Sequence, residues 1–226
     1  MRIARPFGID VRIHSSLFVV LAAVVLWSGA SWFSALSLAV GLFGSVVLHE
    51  LGHALMARFF GIQTAHITLY PFGGIAAIVS PPKTPWQEFW IAIAGPLVNV
   101  AIAVVVLPLG LLAGSWSLLS LAALNVGMAV FNLLPAFPMD GGRVLRALLS
   151  TRLGHYRASR VAIAVGSVFA VAFVLVGLLS WNPSLILVGG FLMYALVVER
   201  RRLAAAQAYG ARGRHAHFVR LDRRPL

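Results

Sequence analysis

Charged residues are scarce along this chain, and they come in clusters. Between the clusters run long stretches without Lys, Arg, Asp or Glu: residues 13–49, 89–139 and 161–198. A helix that spans a membrane needs about 20 apolar residues at 1.5 Å each. The stretch 89–139 therefore holds two spans with a turn near Gly114-Ser115, and 161–198 holds two more, split at Trp181-Asn182-Pro183-Ser184. The stretch 13–49 holds one span and most of a second, which runs on to about Phe60. The pattern predicts a polytopic α-helical membrane protein with about six transmembrane helices: roughly 15–30, 35–60, 86–113, 116–134, 161–180 and 184–199, the last one short. Residues 62–80 break the pattern. They carry no charge, but Pro71, Gly73 and Gly74 stand among many β-branched residues. That composition predicts a membrane-embedded β-hairpin between helices 2 and 3, turning near Pro71-Phe72-Gly73-Gly74. Bare strand edges cannot face lipid, so the hairpin must lie against protein or a water-filled cavity. Phe7, Ile9, Val11 and Ile13 alternate with other residues and fit a further strand beside it.

Composition narrows the class. Of 226 residues, 60% are hydrophobic and 11% charged, and the mean hydropathy is +0.92. A soluble domain carries about 25% charged residues, so a soluble enzyme is excluded. With no Cys, thiolate metal sites and thiol nucleophiles are excluded too. The net charge of +12 matters less than where it sits. The turns near 29–34, 114–117 and 181–184 contain no basic residue, and all 18 Lys and Arg lie at the other helix ends or in the tails. Positive loops face the cytoplasm, so this topology puts both termini there, in a multi-pass protein of the cell membrane. The first apolar run is followed at once by a second, which reads as a span pair rather than a signal peptide. Residues 1–203 are expected to form the membrane domain and 204–226 a basic cytoplasmic tail. That tail reads as a solvated segment facing lipid headgroups, so its partner is the lipid bilayer and not nucleic acid. Seventeen Arg against one Lys point to a GC-rich bacterial genome.

Among the six acids, Glu50 and Asp140 lie deepest in the apolar pattern. An ionisable group there is costly and marks a candidate site. Glu50 lies in His49-Glu50-Leu51-Gly52-His53. On a helix, positions i and i+4 share a face, so both imidazoles can bind one metal ion, with Glu50 beside a water as general base. Two His leave a zinc ion short of a protein ligand. The third His of the extended soluble zinc proteases would fall at Phe59, so that class is excluded. Glu88 is one candidate, but an acid at a helix start is already explained by the helix dipole. Asp140 fits better, although it would also serve as an N-cap for a helix at Val144–Leu149. Before it, Pro135 and Pro138 break the fourth span, and unwound backbone at membrane depth is tolerated where it lines a cavity. Asn99 in the third span is interhelical glue or a support near the metal, and Asn125 is glue.

The pair His49-Glu50-Leu51-Gly52-His53 and Asn132-Leu133-Leu134-Pro135-Ala136-Phe137-Pro138-Met139-Asp140-Gly141 resembles the site-2 protease family of intramembrane zinc metalloproteases, peptidase family M50. The family patterns H-E-x-x-H and N-x-x-P-x-x-x-x-D-G are both complete. Ala94-Gly95-Pro96-Leu97-Val98-Asn99 resembles the family's third core helix, and Gly73-Gly74 the glycine pair of its hairpin. The resemblance covers roughly residues 1–200. It implies one zinc per chain on His49, His53 and Asp140, with Glu50 as catalytic base. It also implies that Asn132 holds the substrate backbone near the metal. The substrate it implies is a single-pass transmembrane protein, such as a membrane-held transcription regulator or its inhibitor. No interval is long enough for the PDZ domain of some relatives, and too little follows Arg202 for the paired CBS modules of others. A compact form is expected, with control by a regulatory membrane partner or by prior trimming of the substrate.

An extended substrate segment would add as a strand along Gly73, Gly74, Ile75 and Ala76. Rival readings are weaker. A transporter with a midplane site predicts acids along a pathway and internal repeats, and neither is visible. A membrane zinc hydrolase of lipids or small amides needs no strand-adding hairpin. An inactive binding relative has no need of Glu50. Seven His, mostly scattered, exclude a di-iron desaturase.

Overall fold

The computed structural model describes residues 2–5, 8–15, 32–70, 73–78 and 80–221. In chain order the elements are β1 (Arg2–Ala4), β2 (Asp10–Ile13), α1 (Trp32–Phe59), β3 (Thr64–Tyr70) and β4 (Gly73–Ile78). There follow α2 (Pro85–Ala113), α3 (Trp116–Asn132), α4 (Asp140–Leu153), α5 (His155–Leu179) and α6 (Pro183–Leu221). The chain divides into two compact units. One holds Met1–Leu134 and Met139–Val144, the other Pro135–Pro138 and Leu145–Leu226.

Among the described residues, four helical stretches are long and apolar enough to cross a membrane: Ser34–Phe59, Pro85–Ala113, His155–Leu179 and Pro183–Ala208. Trp116–Asn132 is apolar but shorter, at 17 residues. The protein is thus a multi-pass membrane protein by length and composition. The first expected span, 15–30, lies almost wholly outside the described residues. The last expected span ends at 199, whereas α6 runs on to Leu221. The apolar stretch ends at Glu199, but Arg200–Ala208 is rich in Arg, Ala, Leu and Gln, which are strong helix formers. Loss of hydropathy ends a span without ending a helix.

In the first unit the strands form one sheet in the order β1-β2-β3-β4. The hairpin falls where it was expected, with Tyr70 opposite Gly73 and Thr64 opposite Ile78. The expected added strand is β2, which pairs with β3 in parallel, Asp10 opposite His66 and Ile13 opposite Leu69. Ile9, Val11 and Ile67 bury one face of the sheet against Leu51 and Ala54 of α1, so the sheet packs on the helix that carries the His pair.

The helices meet through small residues, as in membrane bundles generally. A β-carbon at Gly52 would come within 2.8 Å of Val98 Cγ2 and 2.9 Å of the Ala94 carbonyl oxygen, so α1 and α2 touch backbone to backbone. A β-carbon at Gly41 would meet Leu121 of α3 at 3.0 Å. Asn125 of α3 donates to Ser45 Oγ of α1 at 3.0 Å, the interhelical role expected of it. Thr84 caps α2 by accepting from the Gln87 N–H, and Pro85 occupies the first turn, where its missing N–H costs nothing. In the second unit, α5 and α6 pack through Gly177 against Ile186 and Gly189 against Val174. There Arg146 pairs with Glu199 at 3.1 Å and lies over the Phe137 ring.

Candidate metal centre

His49 and His53 lie on one face of α1, as the i, i+4 spacing requires. Their Nε2 atoms are 3.1 Å apart, and each is 3.2 Å from Oδ2 of Asp140, the first residue of α4. All three side chains are buried. Between α3 and α4 the chain must turn sharply. Gly141 permits this, because a β-carbon there would collide with the Leu133 and Leu134 carbonyl oxygens.

The outer ring nitrogens fix the protonation of the inner ones. His53 Nδ1 lies 2.6 Å from the Ile91 carbonyl oxygen. A carbonyl only accepts, so Nδ1 carries the proton and donates. His49 Nδ1 donates in the same way to Asn99 Oδ1 at 2.7 Å. Both neutral rings therefore turn bare Nε2 lone pairs inward. Arg143 Nη1 lies 3.6 Å from Asp140 Oδ1, a cation beside the buried carboxylate. Two nitrogen lone pairs and a carboxylate oxygen thus converge in a buried space, which is favourable only around a cation. Zinc bonds of 2.0–2.1 Å in tetrahedral array set ligand atoms about 3.3 Å apart, close to the 3.1 and 3.2 Å found here. The residues fit a metal ion of this kind.

Helix α2 supplies the outer support. Its Ala94-Gly95-Pro96 segment runs directly over the imidazoles: a β-carbon at Gly95 would strike His53 Nε2 and come within 2.8 Å of His49 Cε1. Four residues on, Asn99 is fully buried, with its Oδ1 on His49 and its Nδ2 unpartnered. The Asn99–His49 hydrogen bond joins α2 to α1 at the His pair. Glu50 follows His49 and is half-buried. Glu88 is buried in the first turn of α2 and is not among the three convergent groups. Asn132 is the last residue of α3, half-buried, and is not hydrogen-bonded to the three. Gly73, Gly74, Ile75 and Ala76 form the start of β4, which ends the described sheet. Sequence reasoning missed Ile91 and Arg143. A backbone acceptor leaves no mark in sequence, whereas Arg143, one turn after Asp140, left a visible one.

The sequence profile of peptidase family M50 matches residues 37–119 and 113–176, which include the His pair, Glu50 and Asp140. The chain belongs to peptidase family M50. Zinc metalloprotease MJ0392 of Methanocaldococcus jannaschii is 39% identical over 208 residues, covering 89% of this chain and 60% of that protein. Stage IV sporulation protein FB of Bacillus subtilis is 30% identical over 138 residues, covering 56% of this chain and 45% of that protein. Among solved structures, the site-2 protease from Methanocaldococcus jannaschii matches with a TM-score of 0.68 and 37% identity, over 88% of this chain and 94% of that one. The M50 chain described here therefore has the site-2 protease fold. It spans 60% of the length of MJ0392 and 58–60% of other curated relatives.

Proposed function

We propose that this M50 chain is a zinc-dependent intramembrane endopeptidase that cuts single-pass membrane proteins in or near their transmembrane segment. The observation that carries the reading is the convergence of two bare imidazole nitrogens and a carboxylate oxygen one residue from Glu50. His49, His53 and Asp140 would hold one zinc ion, which supplies Lewis acidity to a peptide carbonyl and to water. Asn99 and the Ile91 carbonyl lock the tautomers and ring orientations that this requires. Glu50 takes the proton of the attacking water and returns it to the leaving amide nitrogen.

A helical substrate hides its carbonyls in hydrogen bonds, so it unwinds locally before it is cut. The freed strand adds along the outer edge of β4 at Gly73, Gly74, Ile75 and Ala76, and Asn132 receives a freed backbone group. The four-stranded order with β4 at its end supports this, since β3 occupies only one edge of β4. The absence of basic residues from the 114–117 and 181–184 turns supports six spans with both termini cytoplasmic. Residues 1–203 then form the protease domain and 204–226 a basic tail on the bilayer surface. Activity would be set by a regulatory membrane partner or by prior trimming.

The test is Glu50→Gln. The variant is expected to bind zinc like wild type and to lose proteolysis of a single-pass substrate by about 10²–10⁴. Near-normal cleavage by this variant would sink the mechanism. Proteomics of membranes carrying either form would name the substrate as a single-pass protein that accumulates uncut.

A further inference from the structure

The two oxygens of Asp140 have different neighbours. Oδ2 faces both imidazoles, whereas Oδ1 lies 3.6 Å from Nη1 of Arg143, one turn on in α4. An i, i+3 ion pair on a helix is usually a solvated surface contact of marginal value. This one is different, because the Asp140 side chain is only 10% exposed and that of Arg143 only 24%. Arg143 also stands in the first turn of α4, where the helix dipole disfavours a cation. Neither local helix energetics nor solvation accounts for an Arg held there, but the Asp140 carboxylate does.

We propose that Arg143 is a positioning residue for the metal ligand Asp140: its guanidinium holds Oδ1 outward, so that Oδ2 alone is offered to the ion. The proposal rests on the zinc reading above. A carboxylate free to turn would offer both oxygens and occupy the position that the reaction needs for water. Arg143 opposes that rotation through the positive charge that it keeps 3.6 Å from Oδ1. Its positive charge also draws electron density from the carboxylate, which leaves the ion the stronger Lewis acid.

The test is cobalt substitution of the purified full chain, read by visible absorption and by metal affinity. Tetrahedral cobalt absorbs strongly and five-coordinate cobalt weakly, so the band reports how many oxygens Asp140 contributes. Arg143→Gln is expected to weaken the band and to cost about 10–100-fold in metal affinity. Arg143→Lys should fall between. Arg152→Gln, on an exposed position of the same helix, should match wild type in both readouts. An unchanged band and affinity in Arg143→Gln would overturn the proposal. So would wild-type values in Arg143→Lys together with an unfolded Arg143→Gln, since Arg143 would then serve folding alone. Failure of wild type itself to bind cobalt would overturn the metal reading instead, and the two failures are thereby distinguishable.

Discussion

Substituting Gly95 by Ala adds one methyl group where α2 crosses the His pair. The new carbon would lie 2.6 Å from His53 Cε1 and 2.8 Å from His49 Cε1, with His53 Nε2 nearer still. Comfortable carbon contacts are about 3.5–4.0 Å, so the rings or the helix must yield by about 1 Å. The rings cannot retreat freely, because Ile91 and Asn99 hold their Nδ1 atoms at 2.6 and 2.7 Å. A metal site tolerates errors of about 0.2 Å in ligand distance, and disturbing the support of ligands costs about 10–100-fold in affinity. Gly95→Ala should therefore lower zinc affinity by at least that factor. Fold stability should move less, because an overpacking cost of about 1–3 kcal/mol is partly offset by about 1 kcal/mol of helix propensity gained over Gly. Gly44→Ala is the control: it gains the same propensity on α1, and its β-carbon meets nothing within 4 Å. The assay is zinc content by mass spectrometry after graded chelation, with melting curves beside it. Wild-type zinc retention in Gly95→Ala would refute the close approach of α2 to the imidazoles.

Asp140→Ala should abolish zinc binding while Glu88→Ala keeps it, as read by metal content; the reverse pattern would make Glu88 the ligand. Proline at Ala76 or Ala77 tests strand addition. Neighbouring N–H groups of β4 point to opposite edges, so one variant removes an outward donor and the other a donor to β3. The outward variant should keep zinc and cleave a transmembrane substrate more slowly; wild-type rates with zinc intact in both would end the idea. Cysteines placed at Ser115 and Ser184 should label from outside intact cells, and Lys83→Cys should not. Labelling of Lys83→Cys from outside would invert the topology.

Local patterns carried much of this protein into its sequence. Spacing of four on a helix is enough to put His49 and His53 on one face, because helical geometry involves no distant residue. Pro71, Gly73 and Gly74 were enough to predict a hairpin in place of a helix, and long uncharged stretches predicted about six spans, of which four helices among the described residues are long and apolar enough to cross a membrane. The motif of Asn132 to Asp140 named the third group only through resemblance; by local chemistry Glu88 was also open. Tertiary structure alone joined Asp140 to the His pair, 87 positions after His53 in the chain. It also chose the tautomers, through acceptors 38 and 50 residues away. The parallel pairing of β2 with β3 and the passage of Gly95 over the imidazoles were likewise invisible in sequence. Each depends on which helix or strand lies beside which, and hydrophobic periodicity says which face of an element is buried but not what covers it. Asp140 is a helix N-cap residue in sequence, and it joins a group that could hold a metal ion only where α1 and α2 have already oriented two imidazoles toward it.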